Sequence, residues 1–491
     1  MLVSDRPSLL YIFSDQQRAD TMSCYGNSAI ETPALNRLAD RSFVFDNCYV
    51  SQPVCSPARA TMLAGLYPHT ARVPACNVPL PDDVPTIAEL VDSSYERAYF
   101  GKWHLGDEIF AQHGFTHWVG SEDSYRRFYS SVERHETLSD YHHFLVDHGL
   151  RPDSTSLGQE IFSRHFEASL DEPLTKAAFL GDRAAQFIHD IGDAPFLACV
   201  SYLEPHPPHT GPFDDHYDPE SLPVGPAFNR APEASASLLT RVLAAYYQQS
   251  LEYGIDLRSD EGWRALRARY WGNVTLVDRS IGTILDAIEA TGRAADTIVV
   301  FTSDHGEMAG DHGILGKTVL YEESVRVPLL VSIPGQNEGQ TRVPGNVSHI
   351  DLVPTLLELL DAPRPAHLQG VSRAPVLAGR ESLADNDVVV EWNGADGHPF
   401  PGEAEVNPAL RAPWRSIATA DRYKLNLSNE DQSELFDLND DPHELHNLYD
   451  DPAYRDRASD LTSRIKEWQR RFGDDVPLPA APAAAAGSSS R

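Results

Sequence analysis

The chain has 491 residues, of which 41% are hydrophobic and 23% charged, so it can bury a large core as two domains or as one large domain with an appendage. Its formal net charge of −32 argues against binding to nucleic acid or to an anionic membrane surface, and an anionic substrate would need a local positive pocket. Five cysteines do not form the pattern of a disulfide scaffold, the start "MLVSDRPSLLYIFSDQQ" lacks the pattern of a signal peptide, and no apolar run is long enough to cross a membrane, so we expect a cytoplasmic protein.

Short apolar runs alternate with helical patterns along the first three quarters of the chain. "TPALNRLADRS" predicts a helix with Thr32 as N-cap and Pro33 at the first helical position. A longer helical pattern covers residues 264–292. The predicted strands are "SLLYIFS", "FVFDNCYV", "YERAYFG", "FLACVSYLEPH", "DTIVVFTSDHGE" and "VPLLVSIPG". This alternation predicts an α/β fold whose large, mainly parallel sheet is sandwiched by helices.

The pattern changes after about residue 385. "DVVVEWN", "RSIATADRYKLNLS" and "SELFDLNDD" predict short antiparallel strands, and "PAYRDRASDLTSRIKEWQRRFG" predicts a closing helix. We therefore expect a main domain over residues 1–385 and a smaller subdomain over residues 386–476. The low-complexity residues 477–491 are expected to be a disordered tail.

Ligand-type side chains stand where two of the predicted strands end. Asp15 and Gln16 follow the first strand, and Asp304 and His305 follow "TIVVFTS". Ligands bind beyond the carboxyl ends of the strands in open α/β sheets. Two carboxylates, an amide oxygen and one imidazole suit Ca²⁺, Mg²⁺ or Mn²⁺. The alternative interpretation is that each acidic residue only caps the helix that follows.

Basic side chains occupy loops after other predicted strands. Lys102 and His104 lie two residues apart in "FGKWHLG", on one side of the chain if it is extended. Lys317 follows a glycine, and His206 and His209 stand among prolines. Such residues bind anions when they line a cleft, but they are equally compatible with a solvated surface or a rigid loop.

Cys55 precedes a helical pattern that Pro57 can begin. A helix N-terminus favours a thiolate, so Cys55 is a candidate nucleophile, although the His/Asn pattern of a cysteine protease is not evident. A free cysteine is more often a small buried apolar residue. We expect that role for the other four cysteines, Cys24, Cys48, Cys76 and Cys199.

The segment "CSPAR" at residues 55–59 resembles the C-x-P-x-R signature of the type I sulfatases, which belong to the alkaline-phosphatase-like superfamily. Further segments resemble the family in the same order along the chain. They are "SDQQRADTMSCYGN", "GKWHLG", "EPHPP", "SDHGEMAGDHG", "GKTVLYEESVRVPLLVSIPG" and "SELFDLNDDPHELHNL". The resemblance covers residues 8–470 and implies the alkaline-phosphatase-like fold and hydrolysis of aryl or carbohydrate sulfate esters.

The resemblance also implies a modified residue and a metal ion. Cys55 would be oxidised to formylglycine by a separate formylglycine-generating enzyme that reads the short motif in the unfolded chain. The aldehyde would hydrate to a gem-diol, whose second hydroxyl lets the covalent sulfo-enzyme collapse and expel sulfate. One divalent ion is expected, Ca²⁺ before Mn²⁺. The implied metal ligands are Asp15, Asp304, His305 and the modified Cys55, with Gln16 beside them.

The remaining roles implied by the resemblance concern charge and proton transfer. Arg59 would steady the diol, and Lys102 and Lys317 would hold the sulfate oxygens. His104 would act as base on the diol, and His206 would assist the leaving oxygen together with Lys317. A metal and several fixed cations would stabilise the charge that develops on that oxygen.

One position departs from the family pattern, and it leaves two alternatives open. Many sulfatases have two consecutive aspartates where this chain has Asp15 and Gln16. The Asp-Gln pair also resembles the phosphonate monoester hydrolases and phosphodiesterases, which tend toward Mn²⁺. A non-catalytic binding protein of the same fold is the second alternative, but no key residue is missing.

The alcohol part of the substrate is not encoded in a recognisable motif. Residues 121–149 are expected to rim the pocket, and the rings of Tyr125, Tyr129 and Tyr141 could stack on a substrate or pack in the core. The expected partners are therefore a small-molecule or saccharide sulfate ester and the maturation enzyme. A homo-oligomer is compatible with the sequence.

Overall fold

A mixed sheet of nine strands forms the centre of the structure, a computed structural model that describes residues 6–336, 339–394, 408 and 411–480. The strands of this sheet are β1 (Ser8–Asp15), β2 (Phe43–Tyr49), β3 (Glu96–Gly101), β4 (His117–Val119), β7 (Phe196–Pro205), β10 (Thr297–Ser303), β11 (Arg326–Val327), β12 (Leu329–Ser332) and β13 (Thr341–Ser348). Two small hairpins lie outside it, β5 (Ser154–Ser156) with β6 (Gln159–Ile161) and β8 (Leu251–Glu252) with β9 (Ile255–Asp256).

The strand pairing brings the candidate residues to one edge. β1 is parallel to both β10 and β7, and β7 is parallel to β3. Ser14 of β1 is in register with Ser303 of β10, so Asp15 and Asp304 leave the sheet side by side. β12 is antiparallel to both β10 and β2, so the sheet is mixed at this side.

Helices cover both faces of this sheet. They are α1 (Pro33–Ala39), α2 (Cys55–Ala64), α3 (Pro68–Ala71), α4 (Ile87–Leu90), α5 (Asp140–Asp147), α6 (Arg164–Ala168), α7 (Lys176–Asp190), α8 (Leu238–Tyr247), α9 (Asp260–Ala290), α10 (Glu322–Val325), α11 (Leu352–Leu359) and α12 (Ala374–Leu377). β1 shows the two-sided burial that its apolar run predicts. Leu9, Tyr11 and Phe13 pack with α2 and α11 on one face, whereas Leu10 and Ile12 pack with α1, α7 and α9 on the other.

A second, smaller sheet follows as an antiparallel meander. Its strands are β14 (Val388–Trp392), β15 (Trp414–Ala418), β16 (Tyr423–Leu427) and β17 (Glu434–Asp437), and α13 (Arg455–Phe472) packs on it. The predicted fold class is therefore confirmed. The division of the chain into domains at residue 385 stays a prediction. Of the predicted disordered tail, residues 481–491 lie outside the described residues.

The predicted first helix is present, but its N-cap works differently from the prediction. Thr32 holds the N-cap position without a capping hydrogen bond from its side chain. Instead, the carboxylate of Asp278 on α9 accepts the backbone N–H groups of Ala34 (3.0 Å) and Leu35 (2.7 Å). A residue distant in sequence thus satisfies two free donors of the first turn, which a local pattern does not reveal.

Within the described residues, no helix has both the length and the apolar character needed to cross a membrane.

We expect the buried ion pair of the second sheet to matter for stability. Arg415 on β15 donates two hydrogen bonds to Asp474 just after α13 (2.6 and 2.9 Å), and both side chains are almost fully buried. Arg415→Met should lower the free energy of unfolding by about 3–5 kcal/mol, because it leaves a buried carboxylate unpaired. Denaturant unfolding followed by tryptophan fluorescence measures this. The exposed Arg470–Glu467 pair provides the control, and Arg470→Met should change little; equal effects of the two changes would contradict the argument.

Candidate active site

The chain turns sharply where β1 ends, and this turn exposes Asp15 to the site. Gln16 adopts a positive φ of 71°, which few residues other than glycine adopt readily. The turn is held by Tyr270, whose hydroxyl donates to the carbonyl oxygen of Gln16 (2.9 Å), and by Ser303, whose hydroxyl accepts the N–H of Gln17 (2.8 Å). The backbone N–H of Gln16 donates to the Asp304 carboxylate (3.0 Å), which fixes the two strand ends to each other.

Arg59 is fully buried and connects the strand ends. Its guanidinium donates to the carboxylates of Asp15 and Asp304, both at 2.9 Å. The same group donates to the carbonyl oxygen of Lys102 (2.8 Å) and to the hydroxyl of Ser201 (2.7 Å). The resemblance implied that Arg59 steadies the modified residue; the structure shows contacts to the carboxylates and the backbone of the site.

Cys55 is the first residue of α2 and is buried where the strand ends meet. Its sulfur lies 3.3 Å from Nε2 of His305 and 3.8 Å from the Asp15 carboxylate. Nδ1 of His305 is 3.0 Å from the carbonyl oxygen of Gly306, so it donates there and leaves Nε2 facing Cys55. One ligand atom from each of Cys55, Asp15, Asp304 and His305 falls within 4.8 Å of the others. Two buried carboxylates and an imidazole fit a divalent cation.

Lys102 and His104 both reach the site, but not by strand alternation as the sequence predicted. β3 ends at Gly101, and His104 has a positive φ of 58°. The carboxylate of Glu108 holds this turn by accepting the backbone N–H groups of Trp103 and His104, both at 2.7 Å. Nζ of Lys102 donates to Asp15 at 2.5 Å, and His104 faces Cys55 from a tight turn.

Lys317, His206 and Gln16 form the opposite wall. Nζ of Lys317 donates to the side-chain oxygen of Gln16, and the Gln16 amide nitrogen donates to Glu307. Glu307 is fully buried in "SDHGEMAGDHG" and was missed by the sequence reasoning. Many sulfatases have a second aspartate at the position of Gln16, and in this chain the carboxyl group of Glu307 lies in contact with that position. His206 follows β7, and its Nδ1 lies 2.9 Å from the carbonyl oxygen of Pro207.

The structure distinguishes the roles left open for other residues. Cys76 packs against the core as expected, and its sulfur also lies within 4.8 Å of the Cys55 sulfur and of a ring nitrogen of His104. Tyr141 is buried in the core with its hydroxyl donating to the Leu174 carbonyl, and Tyr129 is buried against Phe110. Tyr125 does reach the site, where its ring stacks on His104 at 4.1 Å between centroids.

Burial and close charges shift the pKa values of the site in opposite directions. Burial opposes ionisation of Asp15, yet the positive charges of Lys102 and Arg59 hold its pKa well below its usual range. Burial and the charge of Asp15 raise the pKa of Asp304 to about 6. The pKa of His104 falls to about 4, because burial and then the Lys102 charge disfavour the imidazolium.

The comparisons with known proteins are consistent with one family over nearly the whole chain. The family model described as sulfatase matches residues 7–362, and the model described as the C-terminal part of N-sulphoglucosamine sulphohydrolase matches residues 310–471. An ulvan-active sulfatase of Formosa agariphila is 30% identical over 96% of this chain and 82% of its own length. An N-acetylglucosamine-6-O-sulfatase of Bacteroides thetaiotaomicron is 25% identical over 96% of this chain and 88% of its own length. The crystal structure of a phosphonate monoester hydrolase of Agrobacterium radiobacter has a TM-score of 0.76 and 27% identity, covering 95% of this chain and 96% of that one.

We expect Arg59→Met to destabilise the protein in a pH-dependent way. Removing the guanidinium leaves two buried carboxylates less well paired, which should cost about 3–5 kcal/mol of unfolding free energy. Protonation relieves that repulsion, so the deficit should be smaller near about pH 5 than near about pH 8. Denaturant unfolding at the two pH values measures it. Arg37→Met, which removes a partly exposed pair with Asp286, is the matched control. A deficit that does not change with pH would contradict this assignment of Arg59.

Proposed function

The chain belongs to the sulfatase family and is a sulfuric ester hydrolase, and we propose that it cleaves sulfate esters of saccharides or aryl alcohols with a formylglycine formed from Cys55. The observation that carries this proposal is the position of Cys55. It lies at the start of α2, where His305, Asp15 and His104 all surround one buried sulfur. The modified side chain would supply the oxygen that attacks the ester sulfur.

Two lysines would hold the sulfuryl group. Lys102 and Lys317 both lie at the site, and their pKa values are raised: burial favours the neutral amines, but the charge of Asp15 outweighs it for Lys102 and the charges of Cys55 and Asp15 outweigh it for Lys317. Both therefore carry a positive charge at neutral pH. In the structure they contact Asp15 and Gln16, which hold them in place for an anion. A preorganised pair of cations stabilises the transition state without reorganisation during the reaction.

His104 is suited to act as a base toward the modified Cys55. Its Nε2 lies 3.0 Å from the side-chain oxygen of Asn77, so Nε2 carries the hydrogen and donates it. Nδ1 is buried and has no hydrogen-bond partner in the part of the chain that the structure describes. With its lowered pKa, the ring is neutral near pH 7 and has a lone pair free to accept a proton.

The leaving oxygen would be assisted by Lys317 and His206. Burial and the Lys317 charge lower the pKa of His206 to about 3, so its imidazole is neutral. The single hydrogen of this neutral ring lies on Nδ1, which donates to the Pro207 carbonyl, so Nε2 is an acceptor. We therefore assign both the positive charge and proton donation at this position to Lys317, with His206 as a hydrogen-bond acceptor beside it. In the first step a diol oxygen would bond to the ester sulfur while its proton passes to His104, the S–O bond to the alcohol would break, and the alcohol oxygen would take up a proton from Lys317. In the second step the other hydroxyl would lose its proton as the C–O bond to the sulfuryl group breaks, which releases sulfate and leaves an aldehyde that water hydrates again.

A divalent cation would be held by Asp15, Asp304, His305 and the modified Cys55. Such an ion polarises the sulfate and stabilises its developing charge when it is bound. The oxygen-rich set favours Ca²⁺, with Mn²⁺ as the alternative. The Gln16 side chain contacts Lys317 and Glu307, so Gln16 would lie beside this ligand set.

Maturation by a separate enzyme is supported by burial. Every residue of α2 is buried, including Cys55, so a modifying enzyme could not reach the thiol in the folded chain. We propose that the formylglycine-generating enzyme acts before the chain folds.

The relatives favour a saccharide as the alcohol part. The named relatives are an ulvan-active sulfatase and an N-acetylglucosamine-6-O-sulfatase, and both match at least 82% of their own length. Tyr125 offers a half-buried ring next to His104, where a sugar or aryl group could stack. Arg164 lies 5.2 Å above the same ring and carries a charge toward this part of the site.

The second candidate is phosphonate monoester hydrolysis. It is supported by Gln16 and by the structural likeness to a phosphonate monoester hydrolase. Glu307 weakens the argument from the Asp-Gln pair, because an acidic side chain lies in direct contact with Gln16. The lysine and histidine of "GKWHLG" favour the sulfatase.

The test is a panel of matched esters of one alcohol. We expect kcat/KM to be highest for sulfate esters when aryl, saccharide and choline sulfates are compared with aryl phosphonates, phosphate monoesters and phosphate diesters. A phosphonate preferred by a wide margin would replace the first candidate with the second. No turnover of any ester, by protein with a modified Cys55, would favour the non-catalytic alternative.

We expect Cys55→Ser to lose multiple turnover. A serine hydroxyl could take up the sulfuryl group, but it has no second hydroxyl with which to expel sulfate. Cys55→Ala should be inactive from the first turnover while remaining folded. Burst kinetics with an aryl sulfate separate the two variants, and Cys24→Ala serves as a control on a half-buried cysteine outside the site. Sustained turnover by the serine variant would show that formylglycine is not needed.

We expect activity to depend on a divalent ion. Treatment with EDTA should abolish turnover, and Ca²⁺ or Mn²⁺ should restore it. Asp304→Asn should lower the affinity for the ion that restores activity, because the change removes one of the two carboxylates from the proposed ligand set. Elemental analysis accompanies the assay, and full activity in metal-free enzyme would refute the metal site.

A further inference from the structure

A second group of metal-binding side chains lies beside the carboxylate group. Among the described residues, Cys55, Cys76 and His104 each present one ligand atom within 4.8 Å of the other two. Cys55 belongs to both groups, whereas Cys76 and His104 belong only to this one. No role in ester hydrolysis requires Cys76.

The loop that carries Cys76 is fixed to the start of α2. The backbone N–H of Asn77 donates to the hydroxyl of Ser56 (3.0 Å), and this hydroxyl donates to the carbonyl oxygen of His104 (2.7 Å). The side chain of Gln52 donates to the Pro74 carbonyl (2.9 Å) and fixes the same loop further back. Ser56, the residue after Cys55, therefore joins the loop that carries Cys76 to the turn that carries His104.

The donor atoms of this group suit a thiophilic cation. Two sulfurs and one imidazole nitrogen are typical ligands of Zn²⁺, whereas Ca²⁺ and Mg²⁺ prefer oxygen. The His104 ring is already oriented through its Nε2 contact to Asn77, as metal-binding histidines usually are. Its Nδ1 is buried and, within the described ranges, has no hydrogen-bond partner.

We propose that the chain with an unconverted Cys55 binds one Zn²⁺ between Cys55, Cys76 and His104. On binding, the two thiols release their protons to solvent, and the two thiolates balance the charge of the ion. The positive charge of Lys102 is compensated by Asp15, and the ammonium group of Lys317 is held by a hydrogen bond to the side-chain oxygen of Gln16. Conversion of Cys55 removes one of the two sulfurs and so dismantles the site. Neither the site nor its test depends on sulfate ester hydrolysis.

Bound Zn²⁺ would block the active site of the chain in which Cys55 is unconverted. Zn²⁺ at this position would occupy both the sulfur that is to be modified and the nitrogen that we assign as the base. The bound ion would also keep the two neighbouring thiols reduced, because metal-bound thiolates are not free to form a disulfide with each other.

The experiment uses full-length protein produced in a host without the modifying enzyme, with the Cys55 thiol verified by mass spectrometry. After reduction and removal of metal, Co²⁺ is titrated under anaerobic conditions. We expect one Co²⁺ per chain, with thiolate-to-cobalt charge-transfer absorption of the intensity given by two sulfurs, and displacement of Co²⁺ by Zn²⁺. X-ray absorption of the Zn²⁺ form should count two sulfur neighbours. One sulfur or none would overturn the proposal.

Three variants separate this site from the carboxylate group that shares Cys55. Cys76→Ser should weaken Co²⁺ binding by at least the roughly 10–100-fold that loss of a supporting contact costs, and should halve the charge-transfer intensity. Cys24→Ser is the matched control and should leave the Co²⁺ affinity and the charge-transfer intensity unchanged. Asp304→Asn affects only the carboxylate group and should also leave the affinity and the intensity unchanged. An unaltered spectrum in Cys76→Ser, loss of the spectrum in Asp304→Asn, or a Cys55–Cys76 disulfide in place of bound metal would each contradict the site.

Discussion

The guanidinium of Arg59 is the interaction on which the site depends. It joins the ends of β1, β10 and β3 to the middle of β7 through contacts to Asp15, Asp304, Lys102 and Ser201. Arg59 stands four residues after Cys55 on α2, so both side chains lie on the same face of the helix. The contacts of Arg59 therefore place the sulfur of Cys55 above the two carboxylates. The spacing of Cys55 and Arg59 within "CSPAR" is therefore a geometric requirement of this docking.

Two turns with positive φ deliver the other groups. Gln16 and His104 each leave a parallel strand through a left-handed conformation, which typically costs of the order of 1–3 kcal/mol unless the surroundings enforce it. Tyr270 and Ser303 enforce the first turn, and Glu108 enforces the second. All three supporting side chains are buried. The site is thus a strained edge of the sheet that the packed interior maintains, and its polar groups are preorganised before any substrate binds.

Much of this arrangement could be predicted from the sequence because the signals are local. Apolar runs ending in Asp15 and Asp304 predict neighbouring strand ends, and the resemblance of ordered motifs identified the family. Cys76 and Glu307 could not be assigned in this way, since a cysteine in a loop and an acidic residue after "SDHG" have no periodic pattern. The capping of α1 by Asp278 was missed for the same reason: the two segments are distant in sequence and meet only through tertiary packing. Tyr129 and Tyr141 show the converse, because an aromatic residue in a rim segment packs inward when a core position is available.

Formation of formylglycine is tested most directly by the mass of the peptide that contains Cys55, taken from protein made in its native host. We expect this peptide to be lighter than the encoded one by the mass difference between the thiol and aldehyde side chains, and we expect the aldehyde to react with a hydrazide probe. The same peptide from a host without the modifying enzyme should carry the intact thiol. An intact thiol in native protein that turns over sulfate esters would contradict the formylglycine mechanism, because an unmodified thiol has no second hydroxyl with which to expel sulfate.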